Sequence, residues 1–483
     1  MSRHPIISAS LLLALAACGD DAPSRDRTDT SSTDTSSTDV PSTDTSSTDV
    51  PSADVPSADV PSTDTVTPAP STWEERFDHV LPIDHVVALT LDFAPGDWTA
   101  LLLDWQTKHE KVVYPAAFGF DDEALAKVGV RLKGLNSLNV PESGPIDPTA
   151  RYPLKIDFNR LGGPRFHEVD ELALNTSGND ASRMRERLTA SLYEALDVAA
   201  PRIAWADVTI DGAHVGLYVL AQVIDKRFLK ERFGEDEHAD DGNLYKCVYN
   251  DFGACALGWL GPDPASYVRA TGCAPGYDRC GLVLQTNEDD PTLNDYADLV
   301  TFLDVLNNTP DETFASALAE VFDVDHFLRL AAVAYATSNF DSYFGKGHNF
   351  YLYRRADGRF QMIPWDFDLA YGNTECPGDP TDPTCGGADG HPLTRRIMAV
   401  PAWRAAYLAH LRALLDDAFT VERHASWVAD MDALIGEAVA RDPNAPLEGT
   451  YAEQIDPSGE GQGNLFGFVA ARRAFIERTL PAE

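Results

Sequence analysis

Basic residues are scarce in this chain of 483 residues. Lys and Arg total 38 against 76 Asp and Glu, which gives a formal net charge of −38 at pH 7. Because such a negative surface repels nucleic acids and anionic lipids, we expect no nucleic-acid partner. A local positive cleft could still bind a nucleotide. Hydrophobic residues make up 44% of the chain, enough for one large domain or two smaller ones.

Long hydrophobic runs are also rare, and the one at the N-terminus is too short to span a bilayer. It covers Ile6 to Ala17 and follows Arg3 and His4, which is typical of an export signal. The run ends Leu15-Ala16-Ala17-Cys18, a lipobox-like pattern. We therefore predict a lipoprotein signal peptide over residues 1–17 and an acylated Cys18. An ordinary signal peptide with an incidental cysteine is the alternative.

Aromatic and large aliphatic side chains are missing from the next segment, residues 18–72. From Asp20 to Ser71 it consists mostly of Ser, Thr, Asp and Pro, with an aspartate every fifth residue from Asp29 to Asp64. Such a segment cannot bury enough apolar surface to offset its ordering entropy. We predict an extended tether that holds a domain away from a membrane; an adhesive role is the alternative.

Metal-binding cysteine motifs are absent, because no CxxC pair occurs among the seven cysteines. Apart from Cys18, the cysteines form three pairs that are close in sequence: Cys247 and Cys255, Cys273 and Cys280, and Cys376 and Cys385. This pattern in an exported protein predicts three disulfides, with pairings inferred from proximity alone.

The remaining chain, residues 73–483, predicts an α+β fold. Alternating apolar residues favour strands such as Val86 to Phe93, and Asp211-Gly212 predicts a hairpin turn. Asp180 is predicted to be the N-cap of a helix that carries Met184 and Leu188. After about residue 292 the pattern is mostly helical. We therefore expect two lobes, a β-rich one followed by a helical one.

The stretch from Ala336 to Tyr371 contains the residues best suited to chemistry. Asp341 and Asn349 precede an expected hairpin, and Asp366 and Asp368 directly follow it. Oxygen ligands of this kind favour Mg²⁺ or Ca²⁺. Protein kinases use the same order of a catalytic Asp, an Asn, a hairpin and a metal-binding Asp. The chain lacks both an HRD motif and a GxGxxG loop, which excludes an ordinary eukaryotic-type kinase.

Several further segments resemble those of the CotH family of atypical kinases. The block Ile363-Pro364-Trp365-Asp366-Phe367-Asp368 is the most specific of them. The other matching segments are Val130-Arg131-Leu132-Lys133-Gly134, Arg151 with Lys155-Ile156-Asp157-Phe158, Asp180 with Arg185, Asp211-Gly212, Gly216-Leu217-Tyr218, Ile224-Asp225, and Gly242-Asn243-Leu244-Tyr245-Lys246. Together they imply a two-lobed atypical protein-kinase-like fold.

The resemblance implies ATP-dependent phosphorylation of Ser or Thr in extracytoplasmic proteins, with Mg²⁺ or another divalent cation. It implies the following roles: Asp341 and Lys155 as catalytic residues, Asp366 as a metal ligand with Asn349 and Asp368 as second ligands or orienting groups, Lys155 in preference to Arg151 as the contact to the donor phosphates, and Gln222 and Lys246 at the nucleotide. One departure is that the family usually has Glu where this chain has Gln222.

Each of these residues also has a purely structural interpretation. Asp341 could cap a loop, Asp366 and Asp368 could be a solvated strand end, and Lys155 could be an ordinary surface lysine. His348 is interpreted as a loop residue. Two alternative functions remain open, a non-catalytic surface adhesin or envelope-organising lipoprotein and a metal-dependent hydrolase. Gly19, rather than Asp, after Cys18 predicts an outer-membrane or cell-surface location.

Overall fold

The computed structural model describes residues 66–67, 72–234, 238–249, 252–372, 383–384, 391–444, 449–460 and 463–481. The predicted signal peptide, Cys18 and most of the predicted tether lie outside the described residues, as do Cys376 and Cys385. Within the described ranges, no helix combines the length and apolar character needed to cross a bilayer.

Seven strands form a closed barrel in the order β1-β2-β3-β4-β5-β7-β6. The strands are β1 (Val87–Phe93), β2 (Tyr114–Phe120), β3 (Glu123–Leu132), β4 (Leu154–Asp157), β5 (Glu171–Asn175), β6 (Ile203–Ile210) and β7 (Ala213–Gln222). Alternate residues of β1 are buried, as period-2 patterning requires. The barrel closes where β1 pairs in parallel with β6, for example Leu89 with Val208.

A second sheet of five strands has the order β12-β11-β8-β10-β9. Its strands are β8 (Leu244–Val248), β9 (Val268–Arg269), β10 (Cys280–Leu284), β11 (Phe350–Arg354) and β12 (Phe360–Pro364). The pair β11-β12 is the hairpin expected from the sequence, and Phe350 opposes Pro364 at its open end. Lys246 of β8 opposes Tyr351 of β11, so the hairpin adds to a sheet begun a hundred residues earlier.

Twelve α-helices accompany these sheets in the described part of the chain, and most of them follow β10. They are α1 (Trp73–Val80), α2 (Asp97–Lys108), α3 (Arg185–Ala195), α4 (Lys226–Phe233), α5 (Ala297–Asn308), α6 (Asp311–Val321), α7 (Val324–Ala336), α8 (Pro392–Ala399), α9 (Pro401–Asp416), α10 (Val421–Arg441), α11 (Tyr451–Ile455) and α12 (Leu465–Thr479). The α+β class is confirmed, whereas the sequence did not predict that the first seven strands close into a barrel.

The expected N-cap at Asp180 is wrong, because α3 begins five residues later at Arg185. The Asp180 carboxylate still accepts a hydrogen bond from the backbone N–H of Arg185 at 2.9 Å. It also accepts from the backbone N–H of Ser182 at 2.9 Å. Asp180 therefore satisfies an otherwise unpaired donor in the first turn of the helix from outside it.

Two of the three predicted disulfides are confirmed, Cys247–Cys255 and Cys273–Cys280. Cys247 lies in β8 and Cys280 is the first residue of β10, and each is joined to a cysteine outside these two strands. Apolar side chains divide into one core inside the barrel and a second, larger core among the helices and the five-stranded sheet. Leu154 and Ile156 of β4 belong to the barrel core, whereas Tyr351 and Leu352 of β11 belong to the larger one.

Acid is expected to destabilise the fold through His424, which is fully buried on α10. Its Nδ1–H donates to the Thr420 carbonyl at 2.8 Å, and Nε2 accepts from the Tyr371 hydroxyl at 2.9 Å. Burial lowers the pKa of His424 from 6.5 to about 4. The folded state therefore binds its proton less tightly than the unfolded state, and stability present above pH 6.5 is lost as pH falls towards 4.

At pH 5 this group alone should cost about 2 kcal/mol, at ~1.4 kcal/mol per pKa unit. Urea unfolding at pH 7.5 and pH 5 measures the loss for the natural chain and for His424→Gln. We expect the loss to be smaller in the variant by about that amount. Equal losses in the two proteins would show that His424 is already charged in the folded state.

Candidate active site

Asp341 lies in the loop between α7 and β11, and its side chain is 2% exposed. Asn349 Nδ2 donates to the Asp341 carbonyl at 2.8 Å and to Oδ2 at 3.1 Å. His348 Nε2 lies 3.2 Å from Oδ1, and Lys346 Nζ lies 3.7 Å from the same oxygen. The Asn349 amide thus fixes the orientation of the carboxylate, and two nitrogen groups lie near its other oxygen, as an acceptor-orienting Asp needs.

Asp366 and Asp368 follow the last residue of β12, and both are half-buried. Asp366 has a φ of 60° and Asn349, at the other strand end, has a φ of 56°. These left-handed conformations are tolerated by Asp and Asn and are concentrated at functional sites. The backbone N–H of Trp365 donates to the Asn349 carbonyl at 3.1 Å. This bond joins the two strand ends directly beside Asp366.

A buried glutamate on α3 completes the cluster. Glu186 is 3% exposed, and Asn175 Nδ2 donates to its two carboxylate oxygens at 3.1 and 3.0 Å. Lys133 Nζ in turn donates to Asn175 Oδ1 at 2.5 Å. The residues at the ends of β3 and β5 therefore connect a lysine to a helix glutamate through one amide, and a kinase uses a similar Lys and Glu combination beside its phosphates.

The pKa shifts show that these carboxyl groups act on one another. Burial, and then the charge of Asp366, raises the pKa of Glu186 from 4.5 to about 8. Burial raises the pKa of Asp366 from 3.8 to about 6, with Lys133 opposing the shift and Asp341 adding to it. Burial, and then the charges of Asp366 and Glu186, raises the pKa of Asp368 well above 3.8.

A hydrogen bond also joins the Asp366 and Asp368 side chains. Two carboxylates so close together repel each other, and a bound cation would relieve that repulsion. The oxygens that could ligate it come from Asp366, Asp368 and Glu186, together with the Asn349 amide, and Asp341 lies close enough to affect the charge of Asp366. This set fits a hard divalent ion such as Mg²⁺, which accepts carboxylate and amide oxygens.

Two lysine ammonium groups lie over the ring of Trp365, the residue before Asp366. Lys133 Nζ is 5.8 Å from its centroid and Lys246 Nζ is 5.7 Å from it. Lys246 also lies 5.3 Å from the Tyr351 ring. Positive charge from β3 and from β8 is thus brought next to the acidic cluster. An anionic ligand that also binds a cation needs this combination of charges.

Other residues singled out in the sequence make contacts elsewhere. Lys155 Nζ forms an ion pair with Glu171 at 2.5 Å. Arg151 forms one with Asp442 at 2.5 Å. Gln222 accepts from the Arg202 backbone N–H at 3.0 Å and donates to Glu231 at 2.6 Å. The structure therefore brings together Asp341, Asn349, Asp366, Asp368 and Lys246, and it shows Lys155, Arg151 and Gln222 in other interactions.

Sequence reasoning did not assign roles to Glu186, Lys133 or His348, although each lies at the cluster. Glu186 is buried on α3 beside Arg185 and Thr189, which are buried too. Polar residues such as these three are usually exposed, so the sequence contained little indication that this face of the helix lies at the site. Lys133 directly follows a strand whose last five residues are buried. His348 was interpreted as a loop residue, and in the structure it contacts the Asp341 carboxylate.

A separate cavity of about 660 Å³ lies between α3, α10 and the loop before β1. Its lining includes Arg187, Glu194, Trp205 and Trp427. None of the clustered carboxylates lines it. The cavity and the acidic cluster therefore lie in different parts of the structure. We place the candidate site at the carboxylates because reactivity depends on their charge and orientation.

Comparison with known proteins supplies the family. A sequence model of the family described as CotH kinase protein matches residues 130–476. This chain belongs to the CotH kinase family. It is also similar to the inner spore coat protein H of Bacillus subtilis (strain 168), with 28% identity over 280 residues that cover 58% of this chain and 71% of that protein. The CotH match contains the whole carboxylate cluster, whereas α1, α2, β1 and β2 precede it.

Proposed function

We propose that this CotH-family chain is an exported, lipid-anchored kinase that transfers phosphate from ATP to Ser or Thr of envelope or surface proteins. The observation that carries the proposal is the convergence of Asp341, Asp366 and Glu186 at the open end of the β11-β12 hairpin. The pKa values of Asp366 and Glu186 are raised, and Lys133 is linked to Glu186 by hydrogen bonds through Asn175. Phosphoryl transfer requires an oriented acceptor, a metal-binding acidic group and positive charge for the donor.

In this proposal Asp341 orients the acceptor hydroxyl and accepts its proton at a carboxylate oxygen. The Asn349 amide keeps that carboxylate in place, and His348 Nε2 lies 3.2 Å from its other oxygen. Asp366, Asp368 and Glu186 would hold a divalent cation, which neutralises phosphate charge when it is bound. Family membership implies ATP and a divalent metal in general, and the oxygen donors fit that expectation.

Positive charge for the donor phosphates would come from Lys133 and Lys246. Both ammonium groups lie near Trp365, whereas Lys155 is paired with Glu171. The predicted roles of Lys155, Arg151 and Gln222 at the nucleotide remain predictions. In this proposal the kinase has two lobes. The barrel provides Lys133 and Asn175, and the helical part with the five-stranded sheet provides Asp341 and Asp366.

Export and anchoring through an acylated Cys18 rest on the N-terminal sequence, and the outer membrane or cell surface is the proposed location. The disulfides Cys247–Cys255 and Cys273–Cys280 support an oxidising compartment. The segment from Asp20 to Ser71 would hold the kinase domain away from the membrane, within reach of protein substrates.

Nucleotide and metal binding by the full-length chain test the proposal directly. We expect Mg²⁺ and ATP together to raise the melting temperature and labelled ATP to phosphorylate the chain or a generic protein acceptor. Asp289→Asn, a change of an exposed aspartate outside the cluster, is the matched control and should behave like the natural chain. Absence of both a thermal shift and phosphate incorporation would contradict the proposal and favour a non-catalytic envelope protein.

The affinity for Mg²⁺ is expected to rise with pH. Protonated carboxyls must release their protons to bind the ion, and the pKa is about 6 for Asp366 and about 8 for Glu186. Isothermal titration should show about a tenfold gain per pH unit for each proton displaced. The gain should be steepest below pH 6, where both groups carry a proton, and smaller between pH 6 and pH 8, where only Glu186 does. An affinity that is flat from pH 5.5 to pH 8 would show that the ion binds elsewhere.

A further inference from the structure

Two histidines and a glutamate from distant segments meet at one end of the barrel. His79 is in the last turn of α1, Glu123 is the first residue of β3, and His167 is in the loop between β4 and β5. His79 Nε2 lies 2.8 Å from Glu123 Oε1, and His167 Nε2 lies 2.8 Å from Oε2. The ligand atoms that the three side chains can offer lie within 4.8 Å of one another.

The surroundings of this triad are apolar. The side chain of Glu123 is 4% exposed and that of His167 is 0% exposed, whereas that of His79 is 38% exposed. The His79 ring lies 6.3 Å from the Phe120 ring and 6.5 Å from the Phe166 ring, measured between centroids. Because a buried carboxylate is costly without a compensating positive charge, Glu123 needs either protonated imidazoles or a cation.

The backbone and the hydrogen bonds at His167 support a specific role for its ring. His167 and Glu168 both have positive φ values, 48° and 66°, and two consecutive residues in this region cost about 1–3 kcal/mol each. Nδ1 of His167 is buried and has no hydrogen-bond partner within the described part of the chain. An ordinary packed histidine would satisfy both ring nitrogens, whereas this ring makes its hydrogen bond through Nε2, the atom that faces Glu123.

We propose that His79, Glu123 and His167 form a binding site for a transition-metal ion, zinc by preference, with an open fourth position. Two imidazole nitrogens and one carboxylate oxygen are a known three-residue ligand set for zinc. Ligands 2.0–2.1 Å from a tetrahedral ion lie about 3.3 Å apart, so the observed nitrogen–oxygen separations need only a small expansion. Imidazole ligands favour zinc over Mg²⁺, which separates this site from the carboxylate cluster.

Glu123 is also held from a second side. Thr67 Oγ1 donates to Glu123 Oε1 at 2.9 Å, and the Thr67 N–H donates to Oε2 at 3.2 Å. Such outer contacts orient a ligating carboxylate. Thr67 belongs to the segment that precedes α1, so an ion here would fasten the start of the globular domain to the barrel. His79 and Glu123 precede the region that the CotH family model matches, and His167 lies within it.

Zinc binding to the full-length chain in a Cys18→Ser background tests the proposal, because this background has neither an acyl group nor a thiol at residue 18. After dialysis against a chelator and reloading, we expect about one more zinc ion per chain than in His79→Ala, measured by mass spectrometry of the metal content. Since loss of an outer-shell contact alone costs about 10–100-fold in affinity, loss of the His79 ligand should cost about 100-fold or more. Co²⁺ should give a tetrahedral visible spectrum that this variant lacks.

His410→Ala is the matched control, since His410 contacts Asp325 on another part of the surface. It should keep the natural zinc affinity and the Co²⁺ spectrum. His79 is partly exposed, so its variant is expected to fold, and circular dichroism checks this. Equal zinc content in the natural chain and in folded His79→Ala would overturn the proposal. Kinase activity plays no part in this readout, so its outcome is independent of the proposed function.

Discussion

Asp366→Asn is expected to abolish phosphate transfer and at the same time to stabilise the metal-free chain at neutral pH. The carboxylate would be a ligand of the cation that neutralises phosphate charge, so transfer should fall by about 1,000-fold or more. The pKa of Asp366 is raised from 3.8 to about 6, so the folded state disfavours its charge. Stability from this group is full below pH 3.8 and is lost as pH rises through 6.

At pH 7.5 the variant should therefore gain about 1–3 kcal/mol in the absence of metal. Urea unfolding in a chelator and a labelled-ATP assay with Mg²⁺ measure the two effects. Asp289→Asn serves as the control for the loss of one surface charge. Asp366→Asn with unchanged transfer, or with lower stability at pH 7.5 in chelator, would contradict the assignment.

Asp341→Asn separates the two proposed roles. It removes the base that accepts the hydroxyl proton, a contribution of about 100–10,000-fold. The Mg²⁺-dependent thermal shift should remain, because Asp366 and Glu186 are intact. Loss of transfer with retained metal binding is the expected pattern, and loss of both would place Asp341 among the metal ligands.

The second large effect concerns stability. Asp442→Ala is expected to destabilise the fold by about 3–5 kcal/mol, because it leaves Arg151 buried without its carboxylate partner. Each side chain of the pair is 5% exposed, and the Asp442 carboxylate also accepts from the Leu217 N–H at 3.2 Å. A Cβ at Gly216 would lie 2.2 Å from Asp442 Oδ1, so only glycine allows this approach.

Two segments that carried the CotH resemblance, the one with Arg151 and the one with Gly216-Leu217, therefore meet at Asp442 for a structural reason. Arg151 and the Gly216-Leu217 backbone together hold the loop that follows α10 against the barrel. Arg151→Met with Asp442→Leu should recover part of the lost stability, since both charges are then removed.

Arg441→Ala is the control for the stability prediction. Its ion pair with Asp207 at 2.7 Å is on the surface, where such pairs contribute about 0–1 kcal/mol. Chemical unfolding of the variants at pH 7.5 measures the differences. If Arg151 instead contacts donor phosphates, as the resemblance implies, Arg151→Met should raise the KM for ATP with little loss of stability.

The sequence by itself determined the elements whose signals are local. The stretch from Ala336 to Tyr371 predicts the β11-β12 hairpin, and proximity predicts the disulfides Cys247–Cys255 and Cys273–Cys280. The order of Asp341, Asn349 and Asp366 around that hairpin was also readable, because residues at the two ends of paired strands must meet.

Only the tertiary structure decided which distant residues join them. Barrel closure depends on parallel pairing of β1 with β6, which are more than a hundred residues apart, and no local pattern encodes that partner. Lys133 and Glu186 reach the cluster through Asn175. The partners of Lys155 and Arg151 follow from packing in the same way. Local periodicity reports which face of an element is buried, whereas the charge environment of a side chain depends on what the rest of the chain places against that face.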